Sequence, residues 1–210
     1  MITEQENIQR QSLRLSKDIL ERIGLYQLKE QSKSIISISG ESGSGKTITA
    51  NGLSMALMEH GIPSYILHMD DYFLLPAADN HKNRLKSLKN VGPHEVNLAL
   101  VEQHMQDFLH NKHITAPVSD FHGNRLLTKQ VDFNDTQVLI AEGTYILSLH
   151  RPMIRIFLER DYRDTLDDRI SRGREPFNAF VEEVLEIEHQ IIRKYRNSAD
   201  IVIDKTFNLS

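Results

Sequence analysis

The chain has 210 residues, 40% hydrophobic and 26% charged, with a formal net charge of −4, the balance of an ordinary globular protein with one domain. It contains no cysteine, which excludes disulfides and cysteine-ligated zinc. No basic run points to nucleic acid as the main partner, and no apolar stretch approaches the roughly 20 residues of a membrane helix.

The start, Met1-Ile2-Thr3-Glu4-Gln5-Glu6, is too polar and acidic for a signal peptide, so a cytoplasmic location is expected. Residues 4–31 read as an amphipathic helix with Ile8, Leu15, Ile19, Ile23 and Tyr26 near one face. That segment, residues 1–33, is expected to be a helical appendage on a main domain of residues 34–210.

Residues 34–39, Ser-Ile-Ile-Ser-Ile-Ser, are β-branched and apolar, as in a buried strand. The run Gly40-Glu41-Ser42-Gly43-Ser44-Gly45-Lys46-Thr47 that follows matches G-x-x-x-x-G-K-[ST] in full. In this P-loop the glycines let backbone N–H groups converge on phosphate oxygens. Lys46 would reach the β- and γ-phosphates, and the Thr47 hydroxyl would ligate Mg²⁺. A helix is expected from Thr47 to His60, with Ile48, Leu53, Ala56 and Leu57 as its apolar stripe and Gly61 and Pro63 ending it. Its positive N-terminal end adds to the phosphate site. The expected ligands are therefore ATP and Mg²⁺.

Residues 64–69 read as a second strand, running into Asp70-Asp71-Tyr72-Phe73. Phosphoryl transfer to a hydroxyl needs a base near the acceptor and Mg²⁺ near the donor, and a carboxylate here suits either. Neighbours in extended chain point opposite ways, so one of Asp70 and Asp71 is expected to face the γ-phosphate. Residues 75–95 read mainly as irregular loop, residues 96–111 as a helix, and residues 113–135 as a short hairpin or an excursion over the site. His94, Asp120 and His122 sit in these loops and are candidates to meet a substrate. Together residues 75–135 make a substrate-side excursion.

Residues 138–141 form a third strand, closed by Glu142-Gly143. Glu142 at that rim can hold Mg²⁺ or position the acceptor, and Gly143 would let the backbone pass close to the ligand. A fourth strand spans residues 154–158. Asp161 caps a helix bearing Tyr162, Leu166 and Ile170. Arg169, Arg172 and Arg174 surround Gly173, and arginines on a lid at residues 169–178 can stabilise charge on the transferred group. Arg160 is a further candidate. Pro176 opens another helix with Phe177, Phe180, Val181, Val184, Ile187 and Ile191, and residues 201–203 make the last strand. The fold class is thus α/β: a P-loop NTPase three-layer α/β/α sandwich with a mainly parallel five-stranded sheet. Ligands in such sheets bind beyond the strands' carboxyl ends, which gathers the P-loop, Asp70, Glu142 and Arg160 at one rim.

Over about residues 34–204 these segments resemble the uridine kinase and phosphoribulokinase group of P-loop small-molecule kinases. The P-loop is similar to G-x-S-G-S-G-K-T, and Asp70-Asp71-Tyr72-Phe73 to D-[SD]-[FY]-[FY]. Pro117-Val118-Ser119-Asp120-Phe121 resembles P-x-Y-D-F, and Ile140-Ala141-Glu142-Gly143 a strand ending in E-G. The 169–174 arginines resemble the lid, and Ser198-Ala199-Asp200-Ile201-Val202-Ile203 the terminal strand. The resemblance implies that Asp70 is the base. It also implies that Lys46, Arg172 and Arg174 serve transfer, that Thr47 and Glu142 hold the metal, and that Asp70, Tyr72, His94, Asp120, Arg125 and Glu142 contact a small hydroxyl acceptor. Val91 replaces the family's ribose-binding aspartate, Ser119 its tyrosine, and Gly123-Asn124 fall where its nucleobase-side histidine would be, so the acceptor is left open. Two other readings use the same loop. A GTP switch would use Asp120-Phe121-His122-Gly123, yet Thr128-Lys129-Gln130-Val131 lacks the guanine-reading aspartate; a partner-driven ATPase would need a different acidic strand end. Oligomeric state, a homo-oligomer included, stays open.

Overall fold

The computed structural model describes residues 4–149, 154–166 and 178–210, with side chains from residue 11 onward. Five parallel strands form the central sheet in the order β2 (Ser64–His68), β5 (Val138–Glu142), β1 (Ser34–Gly40), β6 (Ile154–Leu158), β7 (Ile201–Ile203). Strands β3 (Ile114–Asp120) and β4 (Arg125–Val131) form a separate antiparallel hairpin, so the hairpin alternative for residues 113–135 is the one observed.

Every residue of β1 is buried because both faces of the sheet are covered. Alternate side chains serve opposite layers. Ile36, Ile38, Ile140, Ile156 and Ile203 pack against α1 (Glu4–Ile23), α2 (Leu25–Glu30) and α3 (Lys46–Glu59). Ile35, Leu67, Leu139 and Phe157 pack against α5 (Leu98–Leu109), the end of α6 (Ala179–Ile192) and the inner residues of the hairpin. Among the described residues no helix is long and apolar enough to cross a membrane.

The N-terminal helix departs from its expected form. It breaks at Gly24, whose φ of +86° is left-handed and ends α1, so Tyr26 lies on a second helix and is 73% exposed. Leu15, Ile19 and Leu20 are buried in the main core, not in a core of their own. On α3, Leu53, Ala56 and Leu57 are buried as expected, but Ile48 is exposed. Residues 75–95, expected as loop, hold α4 (Ala77–Lys86) and two short 3₁₀ turns. The helix expected from Pro176 has Asn178 as its N-cap, accepting from the Val181 N–H at 3.0 Å; Pro176 and Phe177 lie outside the described residues. Asp161 caps a tight turn, accepting from the N–H groups of Arg163 and Asp164.

Helix α1 is seated on the P-loop helix α3 at Gly52. Ser12 Oγ donates to the Ile48 carbonyl at 3.0 Å, and Ser16 Oγ donates to the Ser12 carbonyl at 2.7 Å. A methyl group on Gly52 would overlap the Ser12 hydroxyl and come within 3.1 Å of the Ser12 carbonyl oxygen. In an isolated helix Gly→Ala stabilises by about 1 kcal/mol. Here Gly52→Ala should instead lower unfolding stability by about 1–3 kcal/mol, read from the urea midpoint at unchanged m value. A gain in stability would show that α1 does not dock on α3 in this way.

Candidate active site

The rim at the carboxyl ends of β1, β2 and β5 brings the expected groups together. Strand β1 lies between β5 and β6, so the loop leaving Gly40 sits at the centre of the sheet. Gly45, the last loop residue before α3, has φ +102°, a conformation that only glycine adopts without strain. Lys46 Nζ donates to the Glu41 carbonyl at 2.9 Å, which holds the amine across the loop. Ser44 Oγ is buried with no hydrogen-bond partner among the described residues. A left-handed glycine turn, an orphaned hydroxyl, a lysine and the start of a 14-residue helix fit a triphosphate.

Beside the loop, one carboxylate joins two strand ends to the helix. Glu142 Oε1 accepts from Thr47 Oγ1 at 3.0 Å and lies 2.8 Å from His68 Nδ1. Burial works to raise the Glu142 pKa, but the His68 hydrogen bond, the charges of Lys46 and His68, and the Thr47 hydroxyl outweigh it, so its carboxyl titrates below its usual range. The same hydrogen bond raises His68, against burial. A hydroxyl and an ionised carboxylate this close suit a hard cation, which prefers oxygen ligands. Among the described residues there is no cluster of three or more metal-binding side chains. Gly143 has a role other than the expected one: a side chain there would overlap Met69, so it makes room for the core and not for ligand.

Asp70 and Asp71 are separated by backbone geometry, and not as extended chain would do it. Met69–Tyr72 is a 3₁₀ turn, in which residues i and i+3 share a face. Met69 and Tyr72 are both buried, and Asp70 is turned to the cleft. Asp71 Oδ1 accepts from the Ser119 N–H at 2.8 Å, and Ser119 Oγ donates to the Asp70 carbonyl at 3.1 Å, which pins the hairpin to this turn. Protein surrounds the Asp70 carboxyl closely, and desolvation raises its pKa, against the charge of Lys46. Its side chain is nonetheless solvent-accessible because the cleft is open, so water screens part of that rise.

The cleft beside Asp70 has a volume of about 210 Å³. Tyr72 does not line it: its ring is buried and its hydroxyl lies 2.8 Å from His104 Nδ1. His94 is exposed and absent from the lining. Asp120 and Arg125 pair with each other at 2.8 Å at the hairpin turn, where Asp120 also accepts from the Gly123 N–H, and neither lines the cleft. None of these four side chains is among the described residues that line the cleft. Arg169, Arg172, Arg174 and the lid at 169–177 lie outside the described residues. Arg160 stands over the Phe207 ring at 5.2 Å.

Arg84 and Asn80, not singled out from sequence, add to the site. Arg84 of α4 lines the cleft, donating to both oxygens of Glu95 at 2.6 and 2.9 Å and to Glu188 at 2.9 Å. Burial opposes its charge, but the Glu95 hydrogen bonds and the Glu188 carboxylate outweigh burial, and the guanidinium stays protonated. Asn80 donates to Glu95 at 2.9 Å. Glu41 turns its side chain away from the phosphate cradle: it lies 2.5 Å from His189 Nδ1 and accepts from the Tyr162 N–H at 2.8 Å. Burial raises the Glu41 pKa, against those bonds. The spacing Val181, Val184, Leu185, Glu188 on one face of α6 was the available signal for the cleft wall.

The His68–Glu142 pair sets a pH dependence. The raised His68 contributes stability that is complete below its ordinary value of 6.5 and lost as pH rises through its higher folded value. The lowered Glu142 contributes stability above 4.5 that is lost as pH falls through its lower folded value. His68→Gln keeps a hydrogen bond and removes the charge. Its unfolding free energy should fall below wild type near pH 6, and the gap should narrow as pH rises towards about 8.5. A gap that is flat or widens over that range would contradict the pairing.

Comparison with known proteins agrees with this geometry. The model of the phosphoribulokinase/uridine kinase family matches residues 35–174, more than half of the chain. The bifunctional alpha-galactosidase/sucrose kinase AgaSK of Mediterraneibacter gnavus is 27% identical over 190 residues, covering 83% of this chain; the chain spans only a fifth (20%) of that protein. The uridine kinase of Ureaplasma parvum serovar 3 is 27% identical over 164 residues, covering 75% of this chain and 77% of the relative. The solved structure of phosphoribulokinase from Rhodobacter spheroides shares the fold at a TM-score of 0.63 and 14% identity, covering 82% of this chain and 70% of that one. With the P-loop, the Asp70 turn and the Glu142 strand end all inside the matched region, the chain belongs to the phosphoribulokinase/uridine kinase family.

Proposed function

We propose that the protein transfers the γ-phosphoryl group of ATP, with Mg²⁺, to a hydroxyl of a small metabolite bound in the cleft beside Asp70. The observation that carries this reading is the placement of Asp70 between two sites. On one side lie Lys46, Thr47 and Glu142; on the other is an open cleft of metabolite size. The relatives named as uridine and sucrose kinases support the same chemistry.

The loop residues 40–47 hold the phosphates, and Lys46 leaves the Glu41 carbonyl to neutralise the β- and γ-phosphates. Thr47 and Glu142 would hold the cation, which when bound offsets charge on the transferring group; His68 keeps Glu142 ionised and oriented. Asp70 accepts the proton of the acceptor hydroxyl. The acceptor oxygen bonds to the γ-phosphorus as the bond to the β–γ bridging oxygen breaks, and ADP leaves. Burial raises Asp70, which makes it a better base than an ordinary aspartate, and the charge of Lys46 works against that rise. Arg172 and Arg174 are assigned to the equatorial oxygens on the family's lid pattern.

Asp70→Asn should lower kcat on the order of 10²–10⁴-fold with Mg·ATP affinity unchanged. Asp71→Asn should cost stability by weakening the bond to the Ser119 N–H, with kcat within about threefold. Steady-state kinetics and calorimetric ATP titration of both variants check the assignment. The reverse pattern would make Asp71 the base.

A further inference from the structure

We infer that the acceptor is an uncharged, hydroxyl-rich molecule of single-ring size, a monosaccharide or cyclic polyol, and neither a nucleoside nor a phosphorylated sugar. This rests on the phosphotransfer reading of the cleft. Three observations carry it.

The first is charge. Among the described lining residues, Asp70 and Glu188 are acidic, Arg84 carries the one permanent positive charge, and His81 is a further basic side chain. Arg84 is held at 2.6 and 2.9 Å by Glu95 and at 2.9 Å by Glu188, so two carboxylates already match its charge. A phosphate or carboxylate on the acceptor would meet two carboxylates, and the one permanent cation among the described lining residues is already matched. A neutral polyol meets groups that suit it: carboxylate oxygens accept from hydroxyls, and the Asn80 amide and Ser119 hydroxyl offer both donors and acceptors.

The second is the apolar part of the lining. Val181, Val184 and Leu185 follow one face of α6, beside Phe180, whose ring stands edge-on to His81 at 5.6 Å and 86°. Carboxylate, amide and hydroxyl groups lining the same cleft as these C–H-packing side chains fit a sugar ring, which carries hydroxyls at its edge and C–H bonds on its faces. The third is size. A volume of about 210 Å³ lies below the ~300–1,000 Å³ of sites that enclose drug-sized ligands, so one ring fits better than a base joined to a ribose.

The test is a turnover panel at equal concentrations: neutral hexoses, pentoses and cyclic polyols; uridine, cytidine and adenosine; and pentose and hexose monophosphates. ADP release and the mass of the phosphorylated product are both read. At least one neutral sugar or polyol should show kcat/KM about 10²-fold or more above every nucleoside and sugar phosphate. A nucleoside or sugar phosphate as best acceptor overturns this inference and leaves phosphotransfer standing. If no panel member yields a phosphorylated product while Mg·ATP still binds, both readings fall.

Discussion

The site depends on one shared carboxylate. Glu142 is held in register by the parallel pairing of β5 with β1 and β2, opposite Ile38 and His68. From there it reaches Thr47 on the P-loop helix and the imidazole of His68. A buried carboxylate is costly unless it is paired. The strands, the helix start and the histidine together supply that pairing. Gly143, directly after, has to be glycine because Met69 of the neighbouring turn occupies the space of its side chain.

A second set of contacts ties the P-loop to the cleft wall through α6. His189 holds Glu41 of the P-loop, and its neighbour Glu188 holds Arg84 in the cleft wall. Arg84 in turn holds Glu95, which accepts from the Gly92 N–H at 2.7 Å and from Asn80. The phosphate loop and the acceptor wall therefore share a single helix. Val181, Val184 and Leu185 of its apolar stripe also line the cleft.

The sequence made the phosphate half legible and left the acceptor half obscure, for physical reasons. β-Branched runs covered on both faces have few alternatives to a buried parallel strand, so β1, β5 and β6 were readable, with Glu142 at the end of β5. Helix α4 was not. Its sequence from Ala77 to Lys86 has no apolar stripe, Asn80 is its one buried residue, and ion pairs and amide bonds hold it. Periodicity cannot reveal a helix of that kind. Tyr72 was assigned to substrate because its motif is shared, but a 3₁₀ turn places it on the face of Met69 and in the core. Asp120 and Arg125 are opposite charges facing each other across a hairpin turn and satisfy one another. The break at Gly24 had a visible signal, a glycine inside a long helical pattern, which the amphipathic stripe overrode.

The most direct measurement of the central claim is the fate of the γ-phosphate, followed by ³¹P NMR with Mg·ATP and the best acceptor. A phosphate monoester formed mole for mole with ADP is the predicted result. γ-Phosphate that appears wholly as inorganic phosphate, at a rate indifferent to any hydroxyl compound, would contradict it.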